Sequence, residues 1–123
     1  MEHGLVPVEP VHVDHGRATL AYMPQERELG PLGSVHGGVL ATILDTAMGY
    51  AVHSLLAAGD SFATTELRTS YRRPVTVDAG PLRVEAGVLH AGRETALAEG
   101  RLVDAEGTLF AHATATWSLM RAA

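Results

Sequence analysis

The chain has 123 residues, 46% of them hydrophobic and only 5% aromatic, with 14 acidic residues against 9 Lys and Arg and no cysteine. That length suits one domain, 1–123, able to bury about two-thirds of its unfolded surface, and the even spread of apolar residues from Leu5 to Met120 excludes intrinsic disorder. Absence of cysteine excludes thiolate metal sites, Cys nucleophiles and disulfides, and a net charge of −5 without a Lys/Arg cluster argues against nucleic acid as a partner.

Met1 to Pro10 shows neither the basic start nor the apolar centre of a secretory signal, so the expected compartment is the cytoplasm. From Val11 to Met23, two short extended runs flank the turn signal Asp14-His15-Gly16. Pro24 to Gly33 reads as a loop, and Ser34 as the N-cap of a helix. Among the 22 residues of Gly37–Ala58, Asp45 is the only Asp, Glu, Lys or Arg, and Gly59 stands where a C-terminal cap is expected. A helix of that length runs about 30 Å, which would also cross a bilayer. Asp45 and His53 inside it, the lack of basic flanks and strand-like sequence on both sides favour a helix buried all round by a sheet. Ser61–Arg73, Leu82–Leu89, Glu94–Val103 and Thr108–Met120 read as strands. In the last, Phe110, His112, Thr114, Thr116 and Ser118 share one face, and Leu109, Ala111, Ala113, Ala115, Trp117 and Leu119 the other. The order ββαββββ is an α+β architecture, an antiparallel sheet that has to curl around one long helix.

At 100° per residue, Gly38, Thr42, Asp45, Thr46, Gly49 and His53 fall on one stripe of that helix. Small residues there permit close packing against a strand or a second helix, but packing alone leaves Asp45 unexplained. A carboxylate inside an apolar helix is costly unless paired, and no Lys or Arg lies within a turn. Either it bonds to the backbone or Thr hydroxyls, or it faces a cleft as a general base or nucleophile, with Gly49 leaving room for substrate. At the helix start, His36-Gly37-Gly38 would let a ligand approach unpaired N–H groups at the positive end of the helix dipole, where an oxyanion or polarised carbonyl is stabilised. Gly37 and Asp45 are about 12 Å apart along the axis, so if both act on one carbonyl, the site joins two subunits.

The run His36-Gly37-Gly38 with Leu40, Ala41, Asp45, Ala47 and Gly49 resembles the hotdog-fold thioesterases, in particular their PaaI-like branch. Thr65-Glu66-Leu67, Tyr71-Arg72-Arg73-Pro74, Gly80, Ala91-Gly92-Arg93 and the closing Ala113–Thr116 fit the same pattern, and the resemblance spans Val11 to Leu119. It implies an antiparallel sheet wrapped around one helix, paired as a dimer and commonly as a tetramer, that hydrolyses acyl- or aryl-coenzyme A thioesters at the dimer interface. Coenzyme A is then part of the substrate, and no cofactor is implied. Asp45 would be the base or nucleophile, the Gly37 N–H would polarise the carbonyl, and His36 would shape the loop or contact the substrate. Thr64 falls where relatives carry the Ser or Thr that orients water, with Thr65 as a one-residue alternative. Six residues before the His, relatives usually carry Asn or Gln, and this chain has Gly30. Arg72, Arg73 and Arg93 are candidates for the nucleotide phosphates of coenzyme A, and Tyr50, like Trp117, for core packing or, in the case of Tyr50, an acyl pocket. Two other readings are a non-catalytic acyl-CoA-binding protein, and a hydratase or dehydratase, whose usual motif the His36/Asp45 spacing does not resemble. Of the remaining histidines, only His12 and His15 have a close metal-type spacing, with no second ligand cluster, so no metal is expected. His53 and His112 read as hydrogen-bonded structural residues.

Overall fold

The computed structural model describes residues 8–122; the reading of the first seven residues as no signal lies outside them. Strands β1 (Val8–Asp14) and β2 (Arg17–Tyr22) form a hairpin, followed by a 3-10 turn at Glu26–Glu28 and the helix α1 (Gly37–His53). Strands β3 (Ser61–Tyr71), β4 (Leu82–Ala91), β5 (Thr95–Asp104) and β6 (Leu109–Met120) complete a six-stranded antiparallel sheet in the order β1-β2-β4-β5-β6-β3. The ββαββββ order read from the sequence is the observed one.

The helix buries Leu40, Ile43, Leu44, Ala47, Met48, Ala51 and Val52 against Leu20 and Tyr22 of β2, Val84 of β4, Ala98 and Leu102 of β5 and Ala113 and Ala115 of β6. Each fully buried large aliphatic side chain contributes roughly 1.5–3 kcal/mol relative to exposure. Alanines in the sheet let the helix lie close, and Gly100 marks a close approach: a Cβ there would stand 3.3 Å from Leu44 Cδ2 and 3.4 Å from Met48 Cγ. The low aromatic content is thus the composition of a thin helix–sheet gap.

The helix departs from its expected form in three ways. It is about 25 Å long rather than 30 Å, ending at His53 with Ser54 as C-cap. The Ser54 hydroxyl donates to Ala51 O and accepts the Gly16 N–H, so the residue that closes the helix also pins the β1–β2 turn; Gly59, at φ +90°, serves the turn before β3 instead. At the other end the N-cap is His36, not Ser34, whose carbonyl is occupied by Gly30 N–H. Finally, the helix is not buried all round. Gly38, Thr42 and His53 are exposed and Asp45, Thr46 and Gly49 half-buried, because the twisted sheet covers one side only. Among the described residues no helix is long and apolar enough to cross a membrane.

An irregularity of the β5–β6 pairing re-aims one side chain. Val103 pairs with Leu109 while Leu102 pairs with Ala111, which makes Phe110 the extra residue of a β-bulge and turns it into the core rather than outward with His112. Beneath the loop before the helix, the buried Tyr22 hydroxyl donates to Glu28 Oε1 at 2.6 Å, and the Gln25 N–H donates to the same oxygen. Burial first, then the neighbouring Glu28, push the Tyr22 phenol above its ordinary pKa. Glu28 in turn accepts the His36 N–H through its carbonyl, tying this turn to the helix start.

Candidate active site

Asp45 stands half-buried in the middle of the open helix face, and the Thr64 hydroxyl of β3 donates to its Oδ1 at 2.8 Å. The two alternatives read from the sequence, a bond to a Thr hydroxyl and an open setting, thus occur together. Among the described residues no Lys or Arg pairs with the carboxylate. One oxygen thereby accepts a hydroxyl, and the other accepts no hydrogen bond from the described residues. Thr65 is the extra residue of a second bulge, between the Thr64 and Glu66 pairings with β6, and its hydroxyl donates to Thr116 O. Of the two threonines, Thr64 meets Asp45 and Thr65 does not.

At the helix start, the Gly37 and Gly38 N–H groups have no intrahelical acceptor, and no described residue accepts from them. They open beside a cleft of about 310 Å³ whose walls include Gly37, Leu40, Tyr71, Arg72, Arg73 and Val75. The structure thus joins three of the predicted residues, Gly37, Arg72 and Arg73, and adds Tyr71, whose ring lies over Gly37 and whose hydroxyl donates to Gly37 O at 2.7 Å. Tyr71 was legible only as part of the Tyr-Arg-Arg-Pro run, since nothing in its spacing relates it to the helix. Arg93 is not in this cleft. Arg72 N–H bonds to Phe110 O at one end of β6 and Glu94 O accepts from Leu119 N–H at the other, a span of about 30 Å along the strand. Within one chain, Arg93 does not share the cleft of Arg72 and Arg73. Among the described residues none of the three guanidinium groups forms an ion pair.

The His36 ring is exposed and packs over Gly30, where a Cβ would stand 3.2 Å from its Cε1. One turn beyond Asp45, Gly49 opens onto Trp117 and Phe62: a Cβ there would be 3.3 Å from Trp117 Cη2 and 3.8 Å from Phe62. His53 stacks on Phe62 at 5.5 Å and Phe62 tilts against Trp117 at 5.6 Å, which places His53 in a packing role. Tyr50 is half-buried against the core. His112 lies 3.6 Å from Glu99 on the outer sheet face. His12 and His15 join no group of three or more metal-ligating side chains among the described residues.

The sequence profile of the thioesterase superfamily matches residues 32–111, which contain the whole helix, β3 to β5 and the start of β6. An inferred esterase of Halobacterium salinarum is 36% identical over 121 residues, spanning 92% of this chain and 78% of that protein. The structure of an inferred thioesterase of Ralstonia eutropha, related to phenylacetic acid degradation, is 33% identical with a TM-score of 0.85, over 94% of this chain and 86% of that one. An inferred thioesterase of Streptococcus pneumoniae solved with coenzyme A shares the fold at 24% identity, with a TM-score of 0.82 over 94% and 91% of the two chains. The chain belongs to the thioesterase superfamily and has its hotdog fold, in the form shared with PaaI-like enzymes.

Proposed function

We propose that the protein is an acyl- or aryl-coenzyme A thioesterase whose site joins two subunits of a single-domain chain. The observation that carries this reading is the Thr64–Asp45 hydrogen bond on the open helix face. It orients a carboxylate that no cation neutralises, in a position where substrate rather than protein can cover it. The second half of the chemistry is the helix start, with its unpaired Gly37 N–H beside a cleft bearing Arg72 and Arg73. The coenzyme A bound to the Streptococcus pneumoniae relative supports a nucleotide thioester as the ligand, and arginines without partners suit its phosphates.

Asp45 and Gly37 of one chain are separated by about 12 Å of helix, so the carbonyl held by one subunit's Gly37 meets Asp45 of the other. Two routes use these groups. As a base, Asp45 takes a proton from water as the water oxygen adds to the carbonyl carbon; the oxyanion is held at the Gly37 N–H, and collapse expels the thiolate, which regains the proton. As a nucleophile, Asp45 itself adds, the thiolate leaves, and water cleaves the resulting anhydride. A single turnover in ¹⁸O-water separates them, because only the second route leaves label in the Asp45 carboxylate.

Self-association is supported by the two sheet edges. The outer β1 strand carries Pro10, which blunts an edge, whereas β3 offers 11 residues without proline. The deciding test is thiol release from a panel of acyl- and aryl-CoAs. Asp45→Asn and Asp45→Ala are expected to lose about 10²- to 10⁴-fold in kcat, and full activity in either sinks the mechanism. A non-catalytic acyl-CoA-binding protein is the second reading, favoured by Gly30, which offers no side chain beside His36; tight ester binding without turnover would establish it. The hydratase reading fits poorly, since the His36/Asp45 spacing does not resemble the usual motif of such enzymes.

A further inference from the structure

The Tyr71 hydroxyl has no part in the mechanism above, yet it reaches the helix start. It donates to Gly37 O at 2.7 Å, and its Cζ and Oη lie 3.2 Å from where a Cβ on Gly37 would stand. The ring is about half exposed, 51%, and forms a wall of the cleft beside Arg72 and Arg73. Its backbone is fixed, since Tyr71 pairs with Ala111 and the next residue donates to Phe110 O at 2.8 Å.

Thr64 and Tyr71 are seven residues apart, an odd number that puts two side chains of a regular strand on opposite faces. The bulge at Thr65 reverses the alternation, so both reach the helix, one at Asp45 and the other at Gly37. A bulge that a plain edge strand does not need is thus what allows Tyr71 to touch the helix start.

The Gly37 carbonyl belongs to the same planar peptide as the Gly38 N–H. A hydrogen bond accepted at the oxygen fixes the direction of that N–H and, by polarising the peptide, makes it a stronger donor. The preceding peptide is held in the same manner by the helix itself: His36 O accepts from Val39 N–H at 3.0 Å and Leu40 N–H at 3.2 Å, which fixes the Gly37 N–H. Gly38 is exposed and no described residue accepts from its N–H, so its donor is open to a ligand.

We propose that Tyr71 is a positioning residue which orients and polarises the Gly38 N–H as a second donor to the thioester carbonyl oxygen, beside Gly37. This rests on the thioesterase reading and deepens it. Tyr71 does not touch the reacting atoms; it acts through one peptide. The shared carbonyl oxygen is the group whose charge grows in the transition state, so the effect falls on kcat rather than on substrate binding.

Tyr71→Phe keeps the ring against Gly37 and removes only the hydroxyl. In this variant kcat is expected to fall about three- to tenfold with KM within about twofold of wild type, at an unchanged thermal midpoint. The Gly38 amide ¹⁵N resonance, read in the protein without substrate, is expected to move upfield as its carbonyl partner is lost. An unmoved Gly38 resonance, or undiminished kcat, overturns the proposal. So does a raised KM at unchanged kcat, which would assign the hydroxyl to nucleotide binding in the cleft. A wild type that releases thiol from no thioester sinks the thioesterase reading itself, and the Gly38 resonance still reports separately whether Tyr71 controls that peptide.

Discussion

Asp45 differs from a structural carboxylate in having a hydroxyl for a partner instead of a cation. A buried aspartate paired with Arg is neutralised and spent on stability, whereas one bonded to Thr64 at 2.8 Å keeps its charge available. The hydroxyl spends its only proton on Oδ1, which sets the carboxylate plane and leaves the Thr64 lone pairs free to accept from water. Thr64→Val, nearly equal in shape, is therefore expected to reduce kcat about ten- to a hundredfold while lowering stability by less than about 1 kcal/mol. Thr65→Val, one residue away and turned toward Thr116, is expected to leave kcat within about twofold. Steady-state kinetics and thermal melts of the pair check both, and equal losses would show that the hydroxyl at Asp45 has no special part. Gly30 illustrates the opposite case of a residue defined by what it lacks, since its missing side chain is what lets the His36 ring settle over it.

Among the elements, β3 does more than extend the sheet. It is an edge strand on one side, pairs with β6 on the other, and presents both Thr64 and Tyr71 to the helix through a single bulge. The segment joining α1 to β3 is secured from a distance. Asp60 accepts the Ala122 N–H at 2.8 Å and the Ala57 N–H at 2.9 Å, with Arg121 3.4 Å away, so the end of β6 is tied to the turn that leaves the helix. The Ala122 N–H, then the Ala57 N–H, hold the Asp60 carboxyl below the usual aspartate range, and Arg121 adds to this. A depressed native pKa contributes stability that is complete above the unfolded value of about 3.9 and disappears as pH falls through the native value. Asp60→Ala is expected to lower the melting temperature at neutral pH, and the gap to wild type is expected to narrow below that range. Melts recorded from neutral to strongly acidic pH check this, and a gap independent of pH would show that charge plays no part in the tether.

For the molecule as a whole, the open helix face and the unpaired β3 edge support the proposal that one chain is half of a working unit. If each site takes Gly37 from one subunit and Asp45 from the other, two inactive variants should rescue each other. Gly37→Pro removes the N–H donor at the first helical position, which proline favours; His36 already has extended φ −56° and ψ 138°, as a residue before proline requires, and the added Cβ asks the Tyr71 ring, 3.2 Å away, to shift slightly. Mixed after unfolding and refolding with Asp45→Ala, it should recover about one quarter of wild-type activity, because half of random dimers are mixed and each holds one intact site. No recovery in a mixture that demonstrably exchanges subunits would place both groups in one chain. Sedimentation or light scattering supplies the simpler check, since a strict monomer has no shared site.

Much of this was legible in the chain itself. Hydrophobic period and turn residues placed one long apolar helix among six strands in the observed order, because burial imposes periodicities that a sequence must display. Asp45 stood out for the same reason, as the single charge in a run where packing tolerates none, and the His-Gly-Gly start announced unpaired N–H groups. What the sequence could not convey depends on contacts between distant segments. The helix is open on one face because of how far six twisted strands curl, and Arg93 lies about 30 Å from Arg72 because antiparallel strands carry hairpins to opposite ends. The selection of Thr64 over Thr65, the inward turn of Phe110 and the reach of Tyr71 to Gly37 all follow from bulges. One extra residue reverses which face every later side chain takes, and only the pairing of β3 with β6, and of β5 with β6, decides where that residue falls.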